Sequence, residues 1–153
     1  MRLMVLVAAL AAVASPTAAE EWRLIGATRD FTSAIDTTSV AGPASAKRAW
    51  TMRVYRDRQT GGFDYALIQR EFDCVRKTST MTAFAAYERG DVFVARDQTR
   101  GSADVVVPSS MASLELAAAC DGASSEAAGP FANAPATVAM IDLLHSVDDP
   151  RTR

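Results

Sequence analysis

With 153 residues and a mass of 16.3 kDa, the chain has room for one globular domain and its tails, which excludes a pair of catalytic domains. Hydrophobic residues make up 49% and charged residues 22%, a globular balance that excludes a disordered chain or a coiled-coil rod. A formal net charge of -2 argues against duplex nucleic acid as a partner, and a single His with two Cys leaves too few ligands and bases for most metal or catalytic sites.

The chain opens on Arg2, an apolar stretch from Leu3 to Val13, and the small residues Pro16, Thr17, Ala18 and Ala19 before Glu20. This pattern predicts a secretory signal peptide over residues 1–19, cut before Glu20. Eleven apolar residues fall short of the about 20 needed to span a hydrocarbon core. No Cys follows the stretch, so no lipid anchor is expected, and the predicted location is periplasmic or secreted. In such a compartment an even Cys count reads as a disulfide, and two residues allow one pairing, Cys74 with Cys120. Closing a loop of about 47 residues is worth on the order of 4 kcal/mol by the chain-entropy estimate.

In chain order the elements read as strands followed by helix. Trp22 to Ala27 and Phe31 to Asp36 are short apolar-rich runs separated by Thr28, Arg29 and Asp30. From Arg48 to Arg56 the residues alternate, with Trp50, Met52 and Val54 on the expected inner face and Thr51, Arg53 and Tyr55 on the outer one. Phe63 to Cys74, Thr78 to Tyr87, Val92 to Arg96 and Asp104 to Val107 complete six or seven strands, and their short connections imply antiparallel neighbours. Arg70 falls on the inward side of its strand, which predicts a buried carboxylate partner or a bulge.

Pro108 ends the strand series, Ser109 or Ser110 is placed as a helix cap, and Met111 to Cys120 is rich in helix formers. Leu116 and Cys120 share a face, so the disulfide would staple this helix to the sheet. Residues 122–153 are read as a flexible linker and a short helical tail, the latter carrying Val138, Ile141, Leu144 and Val147 at helical spacing with no assigned partner surface. His145 is expected to be an exposed tail residue.

The order and spacing of Trp22 to Gly26, Ile35-Asp36, Thr38 to Val40, Trp50, Glu71 to Cys74, Tyr87, Gly90, Pro108 to Ser110 and Cys120 resemble the surface-adhesin protein E family across residues 20–121. The resemblance implies an α+β domain: a single antiparallel sheet of about six strands with a C-terminal helix packed on it and one disulfide. It also implies a cell-envelope location and contact with extracellular-matrix or serum proteins. A soluble periplasmic envelope factor with no host partner is the alternative.

No catalytic residue, metal ligand or cofactor is expected. The lone His145 has no Gly-x-Ser-x-Gly elbow to serve, and Asp36 and Asp73 are read as structural carboxylates. Charge alone has a functional slant: residues 47–77 carry eight basic groups against four carboxylates, while residues 97–153 carry three against eight. The expected contact surface for a polyanion or acidic protein is therefore Arg53, Tyr55, Arg56 and Arg58, with Arg76 and Lys77 added from the connection after Cys74.

Overall fold

Strand alternation in the first two thirds of the chain becomes one antiparallel sheet in the computed structural model, which describes residues 19–123 and 129–147. The predicted signal peptide lies outside the described residues except for Ala19, as do residues 124–128 of the linker and the last six residues. The strands are β1 (Trp22–Ala27), β2 (Phe31–Asp36), β3 (Ala46–Tyr55), β4 (Tyr65–Asp73), β5 (Thr78–Glu88), β6 (Val92–Asp97) and β7 (Ala103–Val105). They lie in sequence order from β1 to β6, and β7 pairs with the amino-terminal half of β5, leaving the other half to β6.

Each tight connection has a local cause. Thr28 accepts through its hydroxyl from the amides of Asp30 and Phe31, closing the β1–β2 turn. The Asp73 carboxylate accepts from the amides of Val75 and Arg76, and Lys77 at φ 54 turns the chain back into β5. Between β5 and β6, Gly90 at φ 83 and Asp91 at φ 63 supply the left-handed pair that a tight hairpin needs. Asp91 also accepts the hydroxyl proton of Tyr65.

Two helices follow, α1 (Met111–Asp121) and α2 (Ala134–Val147), one on each face of the sheet. Ser110 caps α1 by accepting from the Ser113 amide at 3.3 Å, and Gly122 ends it in the left-handed region at φ 70. Under α1 lie Ile25, Ile35, Ala49 and Phe72, with Leu116, Ala118 and Ala119 facing them. The opposite face holds Trp22, Leu24, Ala34, Met52, Val54 and Tyr65 beneath Ala134, Val138 and Ile141.

The partner surface of the C-terminal helix is therefore the second face of the sheet. Ala134, Thr137, Val138 and Ile141 form its buried stripe at helical spacing, whereas Leu144 and Val147, expected on that stripe, are exposed. Polar contacts fix the helix at several points. Asn133 accepts from the Ala136 amide, Glu20 from the Ala134 amide, and Asp142 takes two bonds from the Arg89 guanidinium at 2.7 and 2.8 Å. His145 is half-buried with Nε2 2.9 Å from the Thr32 hydroxyl, which corrects the expectation of an exposed tail residue. Just before α2, Phe131 exchanges both backbone hydrogen bonds with Trp22 and so continues the sheet beyond β1.

Candidate functional site

Apolar packing explains every buried residue of α1 except Glu115, which is fully buried and ionisable. A carboxylate is tolerated there only if it is paired and hydrogen-bonded. Ser33 donates to Oε1 at 3.0 Å, Arg53 reaches the same oxygen at 3.2 Å, and the Arg70 Nε lies 3.5 Å from Oε2. Arg53 also stacks over the Phe31 ring at 4.8 Å from its centroid, a cation–π contact. Burial is the main cause that lowers the Arg70 pKa, and the Glu115 charge opposes it.

This cluster corrects the outward course expected for Arg53. The Thr51, Arg53 and Tyr55 side of β3 lies beneath α1 and an aromatic row, so both faces of the strand are largely covered. Tyr55 belongs to that row: its ring meets Phe31 at 5.8 Å and Phe63 at 5.7 Å, and Phe63 meets Phe84 at 5.8 Å. Burial raises the Tyr55 pKa. Arg70 has both features expected of it, since it pairs with a buried carboxylate and the β4–β5 register slips between Gln69 and Arg70.

The other expected contact residues divide between opposite ends of the sheet. Arg56 and Arg58 are exposed beside the β3–β4 connection, with Arg58 bound to Glu88 at 2.7 Å. Arg76 and Lys77 occupy the β4–β5 turn, beyond the nine residues of β4, a span of roughly 30 Å. Arg76 pairs with Asp73 at 2.7 Å. No single patch contains all of the expected residues.

The end holding Arg76 and Lys77 gathers cations from elsewhere in the chain. Two adjoining recesses of about 320 and 330 Å³ share Ala46 and Glu71. Lys47 and Arg48 line the first, Asp73, Arg76 and Arg100 the second. Among the described residues, four cations thus face two carboxylates, and Lys77 stands exposed in the adjacent turn. The bond from Arg100 at 2.7 Å holds the Glu71 carboxyl below the usual range, and the Arg76 amide and guanidinium do the same for Asp73. Both acids are therefore ionised at neutral pH, and the lining keeps a surplus of two positive charges.

Lys47, Arg48 and Arg100 were visible as charges but not as neighbours of Arg76. Their proximity depends on the Arg48↔Glu71 and Thr80↔Ala103 pairings, which join three separate parts of the chain. The cysteines are joined as expected, with 5.8 Å between their Cα atoms, tying the end of β4 to the last turn of α1. Asp36 is structural, as expected, and accepts from the Glu21 and Thr38 amides. Trp22 is buried in the core and Trp50 packs at its edge.

Among the described residues, no helix is long and apolar enough to cross a membrane. No curated protein and no solved structure gives a significant match to the chain. The family model described as surface-adhesin protein E matches residues 22–121, from the first residue of β1 to the last residue of α1. With that match covering about two thirds of its length, the chain belongs to the surface-adhesin protein E family.

Proposed function

We propose that this chain is an exported, non-catalytic envelope protein that acts by binding acidic macromolecules, extracellular-matrix or serum proteins among them. Its contact surface is the basic end built from Lys47, Arg48, Arg76, Lys77 and Arg100. Family membership supports the adhesin-like role. One observation supports the surface: among the described residues, four cations line two adjoining recesses that contain two carboxylates. Guanidinium groups held this way bind carboxylate or sulfate in bidentate fashion, and close contact is required because the Debye length is about 8 Å at physiological ionic strength. Arg56 and Arg58, at the other end, contribute a smaller second contact.

Retention on a heparin column, with heparin as the polyanion probe, tests this assignment. The Arg48→Ala, Arg76→Ala, Lys77→Ala triple variant is expected to elute at clearly lower salt than the native protein, and an Arg56→Ala, Arg58→Ala variant close to it. The reverse order would move the contact surface to the β3–β4 connection. Equal elution of all three folded proteins would remove the polyanion reading altogether.

A further inference from the structure

On the face that carries α2, the helix covers β1 to β3 and the start of β4, and among the described residues nothing covers the rest of the sheet. The register shows what lies there. Tyr65 pairs with Tyr87 and Tyr87 with Phe93, Leu67 pairs with Ala85 and Ala85 with Arg96, Gln69 pairs with Ala83, and Arg48 with Glu71 and Glu71 with Thr80. Paired residues share a face, so β5 presents Thr78, Thr80, Ala83, Ala85 and Tyr87 in file on this side. The small side chains from Thr78 to Ala85 form the floor of a trough that ends at the Tyr87 ring. Leu67, Gln69 and Glu71 flank it on β4 and Arg96 on β6, while Arg100 reaches across the Thr80 end to bond Glu71 at 2.7 Å.

The lining changes character along its length. At one end Tyr65 and Tyr87 stack at 5.1 Å, Tyr87 meets Phe93 edge-on at 5.7 Å, and Phe93 is 54% exposed. At the other end the trough runs into the recess of about 330 Å³ lined by Thr78, Thr80, Glu71 and Arg100. Arg96 lies between the two, exposed, and Arg48 borders the recess from β3. Neither Arg48 nor Arg96 forms an ion pair among the described residues.

We propose that this trough takes an extended segment of an acidic partner protein, with apolar side chains on Tyr87 and Phe93 and carboxylates on Arg96 and Arg48. The proposal rests on the binding role given above and names its partner class and its path across the sheet. Charge complementarity selects the occupant. A sulfated polysaccharide carries its charge along its whole length and would leave the Tyr87 and Phe93 end uncovered, whereas a polypeptide can place apolar residues next to carboxylates. A trough following β5 spans about 30 Å, room for roughly nine extended residues.

The probe is a labelled synthetic peptide with an apolar half and a polyglutamate half, made in both orders, titrated into the isotope-labelled full-length mature protein. Binding of either order should shift the amide resonances of Ala83, Ala85, Tyr87 and Phe93. Arg48→Glu and Arg96→Glu should each weaken it by about tenfold or more, as expected for loss of a charge-assisted contact. The proposal is overturned if the resonance changes map to the Arg56 and Arg58 end, or if both variants keep native affinity. Heparin retention separates the two levels of the account. A protein that binds heparin but neither peptide loses the trough and keeps the polyanion surface, and one that binds neither probe loses both.

Discussion

Replacing Glu115 by alanine should destabilise the fold by about 3–5 kcal/mol, the usual cost of removing one partner from a buried charge cluster. Among the described residues, Glu115 is the only carboxylate bound by Arg53 and Arg70, whose side chains are 21% and 14% exposed. Its loss leaves two guanidinium groups facing each other beneath α1, and Ser33 loses an acceptor. Glu115→Gln keeps the shape but not the charge and should fall between the variant and the native protein. Replacing Glu115, Arg53 and Arg70 together by apolar residues of similar volume should recover most of the loss, because the cost lies in uncompensated charge rather than in the missing pair. Urea denaturation of the set decides the matter. A native midpoint for Glu115→Ala would mean that the cluster does not hold the helix.

The second large effect concerns the other fastening of the same helix. Cys74→Ala should cost about 2–5 kcal/mol, as removal of a native disulfide does in small secreted domains. Glu115 and Cys120 lie five residues apart on α1, and the bridge reaches the turn after β4 while the carboxylate reaches the middle of the sheet. Cys74→Ala, Cys120→Ala and the double variant should therefore share one lowered thermal midpoint, and a reductant should bring the native protein to the same value. An unchanged midpoint in the single variants would show that the bridge adds nothing to stability.

The strands could be read from the sequence because their alternation is local. Trp22 to Ala27 and Phe31 to Asp36 match the observed bounds, and Met52 and Val54 lie in the core as their spacing requires. The two-helix cover was not legible for the same reason. When both faces of a strand are buried, its small and polar residues cease to mark a solvent side, and Ala49 and Thr51 are almost fully buried beneath α1. By alternation alone Arg53 falls on the outward side. Its carboxylate partner comes 62 residues later, and the one available hint was Glu115 itself, the only charged residue between Met111 and Cys120. For α2 the helical spacing was visible but its destination was not, because the intervening Gly, Ala and Ser give no indication of direction.

The chain has two lysines, Lys47 and Lys77, and both lie at the proposed basic end. Labelling of intact cells with a membrane-impermeant, amine-reactive biotin therefore tests both the location of the protein and the accessibility of that surface. The account predicts biotin on Lys77, and to a smaller extent on Lys47 whose ammonium donates to the Gly42 carbonyl, in cells whose outer membrane is unbroken or in protein recovered from the medium. Labelling that appears only after osmotic release would place the protein behind the outer membrane and contradict an adhesin-like role.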